Sequence, residues 1–436
     1  MNEPFDSTSE VRPRPGSSAG SLPSQRPPVP ASAAWKPGDP PGNRQFAAIG
    51  DLTLETGIVL PQVTMAYETF GTLNAQRTNA ILVQHALTGD SHVTGPAGEG
   101  HPTAGWWEDL VGPGKPIDTN RAFVVVPNVL GGCQGTTGPA SFRPVGSGSD
   151  PATSAASSSS EKIPCDDDAA SPSRWGAGFP RITTRDQVMA EVRLAQQLGI
   201  SEWELVVGAS MGGLRALEWA VMGPEQGIAV RNLIALATTA ATSADQIAWA
   251  HPQIAAITSD VGYHDGDYYD QPDGHGPHRG LAIARQIAHI TYRSAAELDG
   301  RFAREPQGHE NPMVDGRFAV QSYLDYHGDK IGRRFDANSY ITLTRSILTH
   351  DLGRGRGGVE AALATIKART LVVGVDSDRL FPLSQSARIA TGIRDADSFV
   401  VHTPYGHDGF LIEFDQLVPR LRAFIESGVA KDAEAP

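Results

Sequence analysis

The 436-residue chain has few cysteines, no long apolar run and no excess of positive charge, and each absence excludes a class of protein. Its two cysteines, Cys133 and Cys165, form no C-x-x-C pair and are too few for a disulfide framework, which favours a reducing compartment. No stretch of 18 apolar residues occurs, so no membrane-spanning helix is predicted. The N-terminal arginines lack the apolar segment of a secretory signal. We therefore expect a cytoplasmic protein.

Acidic residues outnumber basic ones, 49 to 36, and the formal net charge is −13 at pH 7. This balance argues against nucleic acid or an anionic membrane as the main partner. Small acidic molecules stay compatible with it, because single arginines bind a carboxylate or phosphate locally. With 40% hydrophobic and 19% charged residues, the composition is that of an ordinary globular protein.

Two stretches are too poor in large apolar residues to fold alone. Residues 1–44 are rich in proline, serine and glycine and predict a disordered tail. Residues 146–173, rich in serine and aspartate, predict a flexible surface insertion. We assign residues 45–238 and 359–430 to an α/β core and residues 239–358 to a helical insertion that acts as a lid.

Strand patterns and helical patterns alternate in the core. Asp51–Leu60 and Val63–Phe70 alternate apolar and polar residues and predict antiparallel strands. Continuous apolar runs predict buried parallel strands at Ala80–His85, Ala122–Pro127, Arg231–Thr238, Thr370–Val375 and Ser398–His402. Helices are predicted at Gln187–Leu198 (capped by Thr184 or Asp186), Ala244–Ile257, Gly280–Tyr292, Asp336–Thr349 and Phe414–Ser427. Together these patterns predict an α/β fold with a mostly parallel sheet.

A G-x-S-x-G motif centred on Ser210 lies between an apolar run and a helix-forming segment. The run Leu205–Val207 predicts a strand that ends at this motif, and Leu214–Trp219 predicts the helix that follows. Strand, tight turn and helix are the context of a nucleophile elbow, which exposes the serine at the carboxyl edge of a sheet. The alternative is a glycine-rich turn with an unreactive serine, and the partner residues must decide between the two.

A nucleophilic serine needs a histidine and a carboxylate, which follow it in the order acid, then histidine, in α/β hydrolases. The acid is expected just after the late strand Thr370–Val375, where the chain offers Asp376 and Asp378. We favour Asp378 because it lies four residues before Pro382, which can turn the chain. Asp376 remains the alternative.

The histidine is expected in the loop after the next strand, where His407 lies in a glycine-flanked stretch. His402 falls within the strand pattern and is expected to be half-buried and not catalytic. An oxyanion would be stabilised by two backbone N–H groups. One belongs to Met211, and the other comes from the loop after an early strand, where Leu87 is our first choice and Thr88 the second.

Several segments go beyond the fold and resemble the homoserine O-acetyltransferases of methionine biosynthesis, a family with the α/β-hydrolase fold. They are His85–Trp107, Asn128–Pro139, Phe179–Val188, Gly208–Gly213, Ala284–Ser294, Arg334–Thr344, His350–Gly358 and Tyr405–Glu413. The resemblance runs from Phe46 to Glu426. The N-terminal tail and the 146–173 stretch carry none of these motifs.

The resemblance implies a ping-pong transfer of an acetyl group from acetyl-CoA, through acyl-Ser210, to the hydroxyl of L-homoserine. It implies no metal and no cofactor besides this co-substrate, and it suggests a homodimer. It assigns Arg285 to the substrate carboxylate and Asp408 to the substrate ammonium group, with Tyr292 as a neighbour of Arg285. Ser210, Asp378 and His407 are the implied catalytic residues.

Three other functions remain open on the sequence. The closest uses succinyl-CoA, or serine in place of homoserine. A serine esterase or deacetylase would use water as the acceptor, but it needs no charge pair such as Arg285 and Asp408 for a zwitterion. A non-catalytic binding protein on the same fold is disfavoured by the intact set of Ser210, Asp378 and His407.

Overall fold

A computed structural model describes residues 27–144 and 173–433, with side chains up to residue 428. The expected flexible insertion therefore lies outside the described residues, apart from residue 173, and so do residues 1–26 of the expected tail. In the described part of the chain, no helix is both long enough and apolar enough to cross a membrane.

An eight-stranded sheet forms the centre of the molecule, in the order β1-β2-β6-β3-β7-β8-β9-β10. Its strands are β1 (Gln45–Thr53), β2 (Val59–Phe70), β3 (Ala80–Gln84), β6 (Phe123–Pro127), β7 (Glu202–Ala209), β8 (Ala229–Leu236), β9 (Arg369–Val375) and β10 (Ala396–Val401). All neighbouring strands are parallel except at β2, which runs antiparallel to both β1 and β6. A separate ribbon pairs β4 (Val111–Gly112) with β5 (Ile117–Asp118). The predicted mostly parallel α/β sheet is confirmed.

Helices cover both faces of the sheet, and six of them lie between β8 and β9 in the chain, of which the first five belong to the inserted region. The helices are α1 (Thr184–Gln197), α2 (Met211–Glu225), α3 (Ala244–Thr258), α4 (His278–Tyr292), α5 (Ala295–Phe302), α6 (Ala319–Ile331), α7 (Ala337–Leu348), α8 (Val359–Ala364), α9 (Leu383–Gly392), α10 (Gly409–Ile412) and α11 (Phe414–Ala433). Helices α3 to α7 are the inserted ones. The three helices predicted in this region overlap α3, α4 and α7, whereas α5 and α6 were not predicted.

The first predicted strand is wrong in its bounds. The prediction ran through Asp51–Leu60, but β1 ends and β2 begins within this range, with a turn between them. Leu54 N donates to Ile58 O at 2.8 Å, and Gly57 adopts a φ of 85° that favours glycine. Because Leu54 and Leu60 are both buried, the alternation continues across the hairpin and hides the turn.

The N-terminal cap of α1 also differs from the prediction. Thr183, not Thr184, caps the helix, and its hydroxyl accepts from Asp186 N at 3.3 Å. The Asp186 carboxylate in turn accepts from Thr183 N at 2.8 Å, which completes a capping box. Asp186 therefore contributes as the reciprocal partner and not as the cap itself.

The predicted tail is wrong for residues 27–44, which pack against the rest of the protein. Ser32 donates to Asp336 Oδ1 at 2.8 Å, and Trp35 N donates to Cys133 O at 2.9 Å. The composition of this segment correctly indicates that it cannot fold alone. It does not reveal that other parts of the chain supply the contacts that offset its ordering entropy.

Candidate active site

The turn between β7 and α2 raises Ser210 at the carboxyl edge of the sheet. Ser210 has φ 55° and ψ −125°, a conformation that side-chain-bearing residues rarely adopt. A Cβ on Gly208 would lie 2.2 Å from Gly212 O, and a Cβ on Gly212 would lie 2.1 Å from Gln84 O of the neighbouring strand. Only glycine fits at both positions, which is the physical reason for the G-x-S-x-G spacing.

Three residues that are distant in the sequence meet at this edge in one hydrogen-bonded chain. Ser210 Oγ lies 2.9 Å from His407 Nε2, and His407 Nδ1 lies 2.6 Å from Asp378 Oδ2. The second carboxylate oxygen of Asp378 accepts from the backbone N–H groups of Leu380 and Phe381, each at 2.8 Å. The carboxylate is thus fixed on one side by backbone and directs its other oxygen at the imidazole.

The alternative acid, Asp376, is directed elsewhere. Its Oδ2 lies 2.9 Å from Nδ1 of His402, and its Oδ1 accepts from Thr403 N at 3.0 Å. The His402 side chain is 75% exposed, so the expectation of a half-buried histidine is wrong. The reason is that β10 ends one residue earlier and is the last strand of the sheet.

The charge of Asp378 controls the protonation of His407. Burial disfavours the imidazolium, but the carboxylate of Asp378 outweighs it through its charge and its hydrogen bond, and Asp408 adds to the effect. The pKa of His407 is therefore raised above its ordinary value of 6.5. In this geometry a neutral His407 can accept the proton of Ser210, and the nearby carboxylates would stabilise the imidazolium.

The acylation of Ser210 by a simple acetyl ester should accordingly depend on pH. Only the neutral imidazole accepts a proton, so the rate should fall as the pH drops through an apparent pKa above 6.5. In Asp378→Asn the midpoint of the remaining rate should move to lower pH, because the stabilising charge is gone. Burst kinetics over a pH series would measure both midpoints. A midpoint below pH 6.5 in the protein without substitutions would contradict the raised pKa assigned to His407.

The two backbone N–H groups expected to stabilise an oxyanion have no acceptor of their own. Within the described residues, the N–H groups of Leu87 and Met211 donate to no protein oxygen. Met211 begins α2, whose partial positive charge favours an anion at this point. Thr88, the alternative to Leu87, is held by two arginines: its carbonyl accepts from Arg334 and its hydroxyl from Arg285.

A buried histidine that the sequence analysis did not single out shapes the Leu87 loop. His85 Nε2 lies 3.1 Å from Val129 N, which must donate, so Nδ1 carries the ring proton and donates to Ala86 O at 2.8 Å. Burial, together with the charge of Arg215, lowers the pKa of His85 to about 3. The ring is therefore neutral at physiological pH and holds the loop in one conformation.

A buried ion pair beneath the elbow supports the same loop. Arg215 of α2 donates to His85 O at 2.7 Å and to Glu191 Oε1 at 2.6 Å. The other oxygen of Glu191 accepts from Gln84 and Trp219, both at 2.6 Å. Sequence reasoning missed this network because its members lie on β3, the loop after it, α1 and α2, which are far apart in the chain.

The residues expected to bind the acceptor lie beside the histidine. Arg285 and Tyr292 are on α4, and the Arg285 guanidinium carbon lies 5.5 Å from the centre of the Tyr292 ring. The Tyr292 ring lies 5.7 Å from the His407 ring. Gly406 allows this approach, since a Cβ there would lie 2.6 Å from Tyr292 O.

Asp408 has a partner that the sequence analysis missed. Its Oδ2 lies 3.2 Å from Arg293 Nε, while its Oδ1 has no hydrogen-bond partner among the described residues. Burial raises the pKa of Asp408, although Arg293, His407 and Arg285 oppose this. Arg293 directly follows Tyr292 in one of the family-like segments, so its position in the sequence was the available signal. One carboxylate oxygen remains for a ligand.

Glu68, His92 and His101 are a candidate metal site outside this constellation, with ligand atoms within 4.8 Å of one another. The two imidazoles stack 3.9 Å apart with an angle of only 9° between their planes. In-plane lone pairs of parallel rings cannot converge on one ion, and His101 Nε2 already accepts from Asn43 N at 3.1 Å. The hydrogen bond to Glu68 raises the pKa of His92, so the contact is better described as an ion pair.

Comparison with known families agrees with the fold. The model of the α/β-hydrolase fold family matches residues 79–414. The chain is 55% identical over 393 residues to the homoserine O-acetyltransferase of Thermobifida fusca, which covers 90% of this chain and 96% of that protein. It is 52% identical over 389 residues to the homoserine O-acetyltransferase of Clavibacter michiganensis, covering 88% and 92% of the two chains.

Solved structures with two different activities have a similar fold. A homoserine O-acetyltransferase from Bacillus anthracis superposes with a TM-score of 0.74 at 25% identity, covering 88% of this chain and 97% of that one. The esterase E22 gives the same TM-score and identity, with 88% and 99% covered. The backbone alone thus does not separate acyl transfer to an amino acid from hydrolysis.

Proposed function

The chain belongs to the homoserine O-acetyltransferase family, and on that premise we propose that it transfers the acetyl group of acetyl-CoA to the hydroxyl of L-homoserine. The products are O-acetyl-L-homoserine and CoA, the first committed step of methionine biosynthesis. The observation that carries the proposal is the identity of 55% over nearly the whole of a homoserine O-acetyltransferase. The arrangement of Ser210, His407, Arg285 and Asp408 supports it.

The first half-reaction acylates Ser210. His407 Nε2, 2.9 Å away, accepts the hydroxyl proton as the oxygen attacks the thioester carbonyl. The N–H groups of Leu87 and Met211 stabilise the tetrahedral oxyanion. The imidazolium then protonates the departing thiolate, so CoA leaves as a thiol and an acetyl-serine remains.

The second half-reaction reverses the roles. His407 accepts the proton of the homoserine hydroxyl, whose oxygen attacks the acetyl-serine, and the proton returns to Ser210 as the ester product leaves. The guanidinium of Arg285 binds the homoserine carboxylate, and the free oxygen of Asp408 binds its ammonium group. The Tyr292 ring is close to both groups, 5.5 Å from the Arg285 guanidinium carbon and 5.7 Å from the His407 ring.

The alternatives make different demands on this pocket. An esterase of the same fold needs no opposite charges for a zwitterion. Here the charges of Arg285 and His407 both act on Asp408, and Arg285 packs on the Tyr292 ring, which neighbours His407. Succinyl transfer is not favoured by the relatives, which are homoserine O-acetyltransferases.

Helices α3 to α7 act as the lid that keeps water from the acetyl-serine.

Product analysis tests the proposed function. The protein is incubated with homoserine and either acetyl-CoA or succinyl-CoA, and free thiol and acylated amino acid are quantified. We expect O-acetylhomoserine in a one-to-one ratio with CoA, and little turnover with succinyl-CoA or with serine. Release of CoA and acetate with no acylated amino acid would show that the protein is an esterase and not a transferase.

Arg285→Ala should separate the two half-reactions. Loss of the guanidinium removes the partner of the homoserine carboxylate but leaves Ser210 and its hydrogen bonds in place. We expect homoserine-dependent turnover to fall about 100-fold, with acylation by acetyl-CoA changed less than about threefold. Pre-steady-state kinetics measure each step. Arg279→Ala, an exposed arginine at the start of the same helix, is the matched control. An equal loss of rate in both half-reactions would refute the role assigned to Arg285.

Oligomeric state and compartment belong to the same proposal. We assign the protein to the cytoplasm as a homodimer that needs no metal and no cofactor beyond acetyl-CoA. Cys133 is buried as a free thiol, which suits a reducing compartment. Met313 is 90% and Val314 75% exposed, and both precede α6 in the inserted helical region, where a second copy would cover them. A monomeric mass by light scattering would contradict the dimer.

A further inference from the structure

A cavity of about 460 Å³ lies next to the oxyanion loop and is not used by the mechanism described so far. Thr88 and Gly89, which follow Leu87 directly, form part of its wall. Its volume is within the range of roughly 300–1,000 Å³ that ligand pockets occupy. Neither Ser210 nor His407 lines it.

Positive charge surrounds this cavity in a protein that is acidic overall. The basic side chains in its wall are Lys36, Arg44, Arg174, Arg333 and Arg334. Among the described residues none of them has a carboxylate partner; the arginines donate to backbone carbonyls or to Gln134. The carboxylates in the wall are Asp39 and Asp90. The positive charge of the wall therefore exceeds the negative charge and is free to attract an anion.

Two arginines contact Thr88 in the wall of the cavity. Arg334 donates to Thr88 O, and Arg285 donates to the hydroxyl of the same residue. Burial and the neighbouring charge of Arg285 lower the pKa of Arg334. Arg44 is only 7% exposed, and its Nε has no hydrogen-bond partner among the described residues. Buried arginines whose hydrogen-bond partners are carbonyls and not carboxylates favour a negatively charged ligand.

The outer wall is the segment that composition alone assigned to a disordered tail. Pro30 to Pro40 line the cavity over most of their length, including Trp35 and Lys36. The segment is held at both sides: Ser32 donates to Asp336, and Arg333 donates to Pro27 O at 2.7 Å. Trp35 presents an aromatic ring of the kind on which nucleobases stack.

We propose that residues 30–40, together with Arg44, Arg174, Arg333 and Arg334, form the site that binds the phosphate-bearing nucleotide part of the acyl donor. This inference rests on the proposed function, since it takes the donor to be an acyl-CoA. The pantetheine arm of such a donor is long and uncharged. It therefore extends from the phosphates at the basic wall, past Thr88, to the thioester at Ser210.

Donors with and without phosphates test the site. We expect Lys36→Gln/Arg333→Gln, which removes two exposed cations, to raise the KM for acetyl-CoA about tenfold. The KM for homoserine, and the use of S-acetylpantetheine, which carries no phosphate, should be unchanged. Arg77→Gln is the matched control, because Arg77 is also exposed and also donates to backbone carbonyls, far along the chain. An equal loss with S-acetylpantetheine would overturn the proposal.

Direct binding keeps this test independent of turnover. CoA, dephospho-CoA and inorganic pyrophosphate are titrated by calorimetry into Ser210→Ala protein with and without the two glutamine substitutions. We expect the substitutions to weaken the binding of CoA about tenfold. Rising salt should lower the affinity for CoA less in the substituted protein. Unchanged CoA affinity would refute the site even if acetyl transfer is observed. CoA binding that depends on Lys36 and Arg333 would support it even if homoserine proves not to be the acceptor.

Discussion

Ser210→Ala protein is expected to gain no acetyl group from acetyl-CoA and to lose activity by a factor of about 10⁴ or more. Alanine lacks the oxygen that His407 Nε2 activates at 2.9 Å, so no acyl-enzyme can form. Intact-protein mass spectrometry after incubation with acetyl-CoA measures the label. In the unchanged protein the mass should rise by one acetyl group and return to its starting value when homoserine is added.

An exposed serine provides the control for this experiment. Ser201 is exposed and directly precedes β7, the strand that leads to Ser210. Ser201→Ala protein should gain the acetyl group and catalyse the reaction at the normal rate. Circular dichroism should show that both variants are folded, since the alanine at residue 210 leaves β7 and α2 in place. If Ser210→Ala protein still acquires an acetyl group, another residue is the nucleophile and the assignment fails. Loss of the label in buffer as fast as with homoserine would favour the esterase.

Asp378→Asn is expected to lower kcat about 10³- to 10⁴-fold, whereas Asp376→Asn should change it less than about twofold. Asp378 Oδ2 lies 2.6 Å from His407 Nδ1, and its charge raises the pKa of that histidine. An asparagine holds the loop through Leu380 and Phe381 but neither stabilises the imidazolium nor fixes the ring tautomer. Asp376 instead pairs with the exposed His402, a type of contact that contributes about 0–1 kcal/mol.

The two aspartates are a matched pair because they lie two residues apart on the same turn after β9. Steady-state kinetics with saturating acetyl-CoA and homoserine gives kcat for each variant, and thermal unfolding shows whether either is destabilised. A large loss in Asp376→Asn with little loss in Asp378→Asn would reverse the choice. Equal losses in both would point to a general effect on the turn.

Local patterns predicted the parallel strands well because a buried strand must be apolar along its whole length. β3, β8 and β9 each begin and end within two residues of the predicted strand, and β7 contains the apolar run Leu205–Val207. The β1–β2 hairpin was misread because Leu54 is buried inside the turn, so apolar alternation did not stop where the strand did. Boundaries depend on backbone conformation at single residues, which hydrophobic patterning does not encode.

The candidate site was predictable as far as each residue belongs to a local motif. Ser210 follows from glycine spacing, and His407 from its glycine-flanked loop and from the resemblance to a family. Arg293 and the Glu191–Arg215 pair were missed because each acts through a residue far away in sequence. Contacts of this kind depend on how helices pack, and no spacing rule along the chain reports them.

The sequence by itself determined the sheet and the elbow around Ser210, because these depend on steric and hydrophobic rules that act over a few residues. The family was indicated separately, by the resemblance of several motifs. Only the tertiary structure decided between Asp376 and Asp378, since two carboxylates on one turn differ in direction and not in pattern. The tertiary structure also showed that residues 27–44 pack against the rest of the protein. Their composition cannot fold alone, yet contacts such as Ser32 with Asp336 hold them against the cavity beside the oxyanion loop.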